Sequence, residues 1–369
     1  MSTFQEKLRH WSFFRQGLDQ SETDVTEALK KVIAVYSAHP SGPLSLWARM
    51  QSFDNQVFQT LDKQRLVVRI PAMRLSVHQI PVESAPYVFA ATVPPKSGDY
   101  WQKRYAQREL PNQDFLVWRL EVLDLTNTPQ MVKDLKKEIS FPGDKLKFVL
   151  NRMAFEGYLL RVGSNSLRAN TISYVKTTAW IDNWAENHLQ SITQEDALSW
   201  LAKAYFKAFG PATMKDFQWW AGITVAKAKQ AVATLDLANL EEHYYLLAED
   251  LNDFEAFTLS IPTTQQVTIL PQWDAYLMGY APEGRERLVD SKDLPQVYGK
   301  LGATGGNALG SVLVNGKVVG IWKHKFKGTQ VQFEKSIFSK LSNSIVKQID
   351  EKLYEIGRLM EAKKIDISE

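Results

Sequence analysis

Cysteine is absent from the 369 residues, which excludes disulfides, iron–sulfur clusters, thiolate zinc sites and cysteine nucleophiles together. No stretch approaches the ~20 apolar residues of a membrane-spanning helix. The opening MSTFQEKLRHW mixes charges of both signs where a secretory leader needs an apolar run. A soluble protein of a reducing, cytoplasmic compartment is the expectation. The HExxH and GxSxG motifs are missing too, and the glycines from Gly302 to Gly310 are not followed by the Lys-Ser/Thr of a phosphate loop. The six histidines, scattered along the chain, give no metal-ligand spacing. One absence is local: from Gln230 to Gly284 there is no Lys or Arg, while Asp236, Glu241, Glu242, Glu249, Asp250, Asp253 and Glu255 all fall there. Such a stretch repels a phosphate backbone, so any polyanion docks elsewhere.

What remains is an ordinary globular composition, 44% hydrophobic and 23% charged. At ~150 residues per domain the length predicts two or three cores. A net charge of +3 is too mild to argue for nucleic acid by itself, but the cations are clustered. Lys63, Arg65, Arg69 and Arg74 lie early, and Lys133, Lys136, Lys137, Lys145, Lys147, Arg152, Arg161 and Arg168 in the middle. Solvated helix faces explain such runs as well as a polyanion does.

Three similar pulses of secondary structure follow one another. In the first, the spacing of Val25, Ala28, Leu29, Val32, Ile33 and Tyr36 predicts a helix from Thr23 to Tyr36. Short helices around SLWARM and NQVFQTLD come next, and then strands RLVVRI and LSVHQI about Pro71. The second runs through TNTPQMVKDLKKEI and DKLKFVLNRMAFEGYLLRV to a hairpin at GSNSLRANTISYV. Its apolar stripe Leu146, Val149, Leu150, Met153 leaves Lys145, Lys147 and Arg152 for the opposite face. The third is TQEDALSWLAKAYFKAFG, PATMKDFQWWAG and TVAKAKQAVATLDLANLE. Helices followed by a hairpin describe a winged helix. From Tyr244 the pattern changes to short alternating strands, with an Asn315-Gly316 type I′ turn between SVLV and KVVGIW, and predicts an antiparallel sheet or small barrel. A final helix, Ser342 to Ala362, offers Ile345, Ile349, Leu353, Ile356 and Leu359 to it.

Six segments in order, FRQGL, PLSLWAR, AMRLSVHQIP, YFKAFGPATMKDFQWWAGI, TILPQWDAYLMGY and VLVNGKVVGIW, carry a resemblance. The chain resembles the AlkZ/YcaQ-like family of winged-helix DNA glycosylases. The resemblance implies an α+β protein of three tandem winged-helix motifs followed by a C-terminal antiparallel β-barrel and a closing helix. The expected bounds are residues 1–110, 111–190, 191–243 and 244–369. It also implies hydrolysis of the N-glycosidic bond of alkylated or crosslinked bases without a metal or redox cofactor, in double-stranded DNA bound by a monomer.

In active branches a Gln-x-Gln or Gln-x-Asp motif before the PLSLWAR-like segment positions water and stabilises the sugar cation. Here Tyr36-Ser37-Ala38 stands instead, with no carboxamide or carboxylate. Tyr36, Ser37 and His39 can hydrogen-bond water in its place, and a histidine can act as a base near neutrality. Asp274 of LPQWD either caps a turn or orients water. Candidate DNA contacts are Arg74, His78, Lys145, Lys147 and Arg152, with Lys323 and Lys325 on a basic hairpin; Arg49 is one as well, or else a structural residue. The consecutive Trp219 and Trp220 are read as core. A protein-interaction scaffold of the same fold is the reading from a different class.

Overall fold

The structure, a computed structural model, describes residues 3–38, 40–95, 99–163, 167–168, 172–181, 192–241, 243–257, 265–299 and 307–368. Helix α1 (Thr3–Arg15) leads to α2 (Val25–Lys30), whose amides are capped by the Asp24 carboxylate. The helix expected to continue to Tyr36 stops there. Ile33 takes a left-handed φ of 67°, which reverses the chain, and Val35–Tyr36 form an edge strand, β1. β-Branched side chains in that run favour the strand once a partner edge is available. Then come α3 (Ser41–Trp47), α4 (Asn55–Lys63, capped by Asp54), and strands β2 (Val67–Pro71) and β3 (Val77–Pro81).

The middle third holds α5 (Ala85–Thr92), α6 (Tyr100–Ala106), α7 (Asn112–Leu125), β4 (Gln130–Met131), α8 (Val132–Glu138), α9 (Leu146–Phe155), β5 (Leu159–Val162), β6 (Ser173–Lys176) and α10 (Thr177–Trp180). Its helices have their own core, from Trp101 and Phe115 to Met153. The hairpins of the first two pulses do not stay separate. Arg69 on β2 pairs with Arg161 on β5, and one six-stranded sheet results, ordered β1-β3-β2-β5-β6-β4.

Next stand α11 (Gln194–Phe209), α12 (Met214–Ala221) and α13 (Val225–Val232), each begun by a threonine cap. At α12 the cap is reciprocal, Thr213 with Asp216, and the helix ends on left-handed Gly222. Strands β7 (Leu237–Leu240) and β8 (Tyr244–Leu247) pair with each other, so the strand at Tyr244 belongs with this third group of helices. After α14 (Leu251–Ala256) the chain forms β9 (Val267–Leu270), α15 (Ala275–Met278), α16 (Leu294–Tyr298), β10 (Gly310–Val314), β11 (Lys317–Lys327), β12 (Gln330–Ile337), α17 (Asn343–Leu359) and β13 (Lys364–Ser368).

The expected C-terminal barrel is corrected by this sheet. Its order is β13-β12-β11-β10-β9, and among the described residues no ladder joins the two edges. The β12–β13 pairing is parallel, and α17 is the crossover that parallel strands require. That helix lies against both edge strands, β9 and β13, and covers the apolar face that barrel closure would otherwise hide. Ile345, Ile349, Leu353 and Ile356 are its buried stripe, each worth roughly 1.5–3 kcal/mol of transfer free energy. One continuous core runs from Phe13 to Met360 through both sheets. Among the described residues no helix is long and apolar enough to cross a membrane.

Candidate functional site

Tyr36 ends the edge strand β1, paired with His78 on β3. The first turn of α3 presses on its backbone, for a Cβ added at Gly42 would lie 2.8 Å from the Tyr36 carbonyl oxygen. Glycine is therefore what lets α3 sit against the strand. Fixed in this way, the Tyr36 ring faces a cleft of about 280 Å³. Trp273 lies 4.6 Å from it, tilted by 49°, and the His78 ring meets it edge-on at 5.8 Å. Arg74, Ser76, Met278 and Asn307 complete the lining. Ser37 is buried beside the cleft, its amide donating to the Val77 carbonyl, and does not line it. His39 lies outside the described residues, as do residues 302–306 of the glycine-rich stretch.

Arg74 is an unusual residue. It holds a left-handed backbone, φ 53° and ψ 29°, in the tight turn between β2 and β3. α12 supports that turn: a Cβ at Gly222 would come within 2.9 Å of the Arg74 backbone. The guanidinium stacks 4.0 Å from the Trp219 ring, with Arg285 5.0 Å from the same ring. Burial, together with the neighbouring Arg285 charge, draws the Arg74 pKa down to about 10, so it remains a cation at neutral pH. Its Nη1 is buried without a hydrogen-bond partner. Trp219, expected to be core, is half core: it packs against the interior and offers a face to two cations, while Trp220 is fully buried.

His78 is buried, and burial drives its pKa down to about 4, with the Ser76 carbonyl resisting and Arg74 assisting. Nδ1 lies 3.0 Å from that carbonyl, which can only accept, so Nδ1 carries the proton and Nε2 is left as an acceptor. At neutral pH the side chain is a neutral imidazole, not a phosphate-binding cation.

Asp274, one residue beyond Trp273, is closed. Its Oδ2 accepts from Ser45 Oγ at 2.6 Å and Arg49 Nη1 at 2.9 Å. Oδ1 accepts from Arg49 Nη2 and the Tyr276 amide, both at 2.9 Å. Both side chains of the pair are 0% exposed. Asp274 therefore caps α15 and anchors α3, with no lone pair left to orient water. Arg49 is its bidentate partner and presents nothing to a phosphate.

The remaining candidates divide by exposure. Arg152 is corrected: three residues from Val149, it lies on the buried side of α9, paired with Glu156 at 2.8 Å and stacked 3.8 Å over Phe115. Lys145 pairs with Glu109 at 2.9 Å, and that hydrogen bond raises its pKa. Lys147 is exposed. Lys323 and Lys325 are exposed on β11, with Glu334 facing Lys323 at 2.7 Å. The structure thus gathers Tyr36, Arg74 and His78 into one cleft and leaves the lysines elsewhere. Ser76 and Asn307 line the cleft without having been legible as site residues in the sequence, and Trp273 stood out there only as part of the LPQWD motif. The charge-free LPQW run gave no signal for a wall. Among the described residues no group of three or more His, Asp or Glu could hold a metal ion.

Comparison with known proteins gives two findings. The profile of the family described as "DNA glycosylase AlkZ-like" matches residues 36–359. Among solved structures, the Streptomyces sahachiroi DNA glycosylase AlkZ superposes with a TM-score of 0.73 at 16% identity, covering 98% of each chain, which shows a shared fold. No curated protein matches by sequence.

Proposed function

The chain belongs to the AlkZ-like DNA glycosylase family, and from that premise we propose that it binds double-stranded DNA, alkylated or otherwise damaged, and seats one nucleobase in the Tyr36 cleft. The three groups of helices, each followed by a hairpin, support a reading as tandem winged helices over residues 1–110, 111–190 and 191–243, continued into the hairpin at Tyr244. Exposed Lys147, Lys323 and Lys325 are the phosphate contacts in this reading, and Arg74 reaches the base or its phosphate. The protein acts as a monomer.

The cleft is the observation that carries the proposal. It lies at Tyr36, beside the element where active relatives carry their catalytic motif, and its walls are π faces. About 280 Å³ admits a single heteroaromatic ring system. An extruded base gains stacking against such walls, on the order of 1–3 kcal/mol.

Recognition without rapid excision is the second reading, and one observation favours it. Among the described residues no carboxylate lines the cleft, and the oxygens of Asp274, next to Trp273, are already occupied by four donors. Water would have to be oriented by the Tyr36 hydroxyl or by His78 Nε2, a weak base. A salt titration of duplex binding followed by alkaline cleavage of the bound DNA tests both readings. Affinity that falls steeply with salt supports DNA as the ligand. Abasic sites accumulating in the bound fraction favour excision, and bound DNA that stays intact favours recognition alone. Salt-independent or absent binding removes the proposal.

A further inference from the structure

Taking the base-binding reading of the cleft as its basis, we propose that this cleft selects a neutral nucleobase carrying a carbonyl beside an N–H and rejects a cationic base.

The charges around the cleft are of one sign. Among the described residues Arg74 is the only formally charged one in its lining, and Arg285 shares the Trp219 ring with it. Among the described residues no Asp or Glu lines the space. Asp274, adjacent in sequence, is fully buried and spent on Arg49. A base that carries a positive charge therefore enters beside an unneutralised guanidinium, in surroundings dry enough to depress the Arg74 pKa. Like charges brought together under those conditions repel strongly. The aromatic walls would attract a cationic ring, but Arg74 already takes that role on Trp219.

The hydrogen-bonding groups point the same way. Arg74 lines the space as a cation, its Nη1 buried behind the surface without a hydrogen-bond partner. His78 Nε2 is an acceptor, because Nδ1 is committed to Ser76. Asn307 Oδ1 accepts from Trp273 Nε1 at 3.3 Å, which leaves its amide nitrogen as a donor for a carbonyl oxygen. The Asn307 amide and His78 Nε2, a donor and an acceptor on residues that line one space, complement a carbonyl next to an N–H, the edge found on guanine, 8-oxoguanine, thymine and uracil. Adenine has no carbonyl to meet that donor.

The test uses the whole unmodified protein and duplexes that differ at one nucleotide: 8-oxoguanine, 7-methylguanine on a 2′-fluorinated sugar that resists depurination, or an abasic site. At mildly acidic pH 7-methylguanine is cationic while His78 is still neutral. The 8-oxoguanine duplex is expected to bind about tenfold or more tighter than the 7-methylguanine duplex. Arg74→Gln should shrink that ratio to about twofold, and Arg74→Lys should keep it, with thermal melts confirming that both variants fold. Tighter or equal binding of 7-methylguanine, with both bases above the abasic duplex, overturns the selection while leaving the cleft as a base site. Equal binding of all three duplexes, unchanged by Trp273→Ala, overturns the base-binding reading as well.

Discussion

Arg49 is a buried guanidinium and Arg74 a half-buried one, both within the first quarter of the chain, and they have opposite surroundings. Arg49 meets a carboxylate in bidentate geometry, at 2.9 Å on each side, and the carboxylate is saturated by two further donors. Arg74 has an aromatic ring on one side, a second cation nearby, and a nitrogen with no partner. Charge complementarity is complete at the first and lacking at the second. A closed pair holds elements together, here α3 and the turn before α15; an open cation in a cleft is a place where a ligand supplies the missing partner.

The difference is sharpest in the effect of deleting a partner. Asp274→Ala leaves the Arg49 charge buried and unpaired, and should cost about 3–5 kcal/mol in denaturant unfolding. A loss under about 1 kcal/mol would mean the pair is not a structural clamp. The next effect is a pH dependence from the cleft side. The folded His78 pKa of about 4 is below the ordinary 6.5, so as pH falls the unfolded chain takes up the proton first. Stability is unaffected by this group above about pH 6.5, and declines between there and about pH 4 by about 3 kcal/mol. His10 and His324 are also lowered by burial and add the same sign. His78→Gln should flatten most of the decline, as followed by unfolding across that range.

Smaller is the expected effect at the turn that holds Arg74. Gly222→Ala meets both a φ of +72° and contact at 2.9 Å with the Arg74 backbone. It should cost about 1–3 kcal/mol and lower duplex affinity through Arg74. Retained affinity would separate Arg74 from binding. At the exposed end, Lys147→Gln and Lys323→Gln should change stability by less than about 0.5 kcal/mol, while each lowers the salt slope of duplex binding by about one unit. An unchanged slope would free these lysines of the phosphate role.

Much of this fold was legible because it is local. Threonine, serine and aspartate caps mark the helix starts, the period of Ile345, Ile349, Leu353 and Ile356 marks the closing helix, and Asn315 and Gly316 take the left-handed angles of their type I′ turn, φ 50° and 75°. What was not legible depends on distant partners. β13 joins β12 only because α17 crosses the sheet, and that turned an expected barrel into an open sheet. The joining of two hairpins at Arg69 and Arg161 has no sequence signature. The short strand at Val35–Tyr36 carries the apolar spacing of a helix, yet its edge pairing with β3 decided the outcome.

The same rule governs the site. Tyr36, Arg74 and His78 were reachable from sequence, because they flank one hairpin and its edge strand. Arg49 and Asp274 are 225 residues apart, so neither charge announces that it is neutralised by the other. Arg152 was misjudged for a related reason: a long side chain on the edge of an apolar stripe can fold over Phe115 and pair within its own helix.

Photocrosslinking tests the open cleft most directly. A duplex with a single photoreactive base at the damaged position, irradiated at saturating protein and analysed by peptide mass spectrometry, should attach to the peptide containing Tyr36 or the one containing Trp273. Attachment confined to other peptides at full occupancy would contradict a base held against those rings.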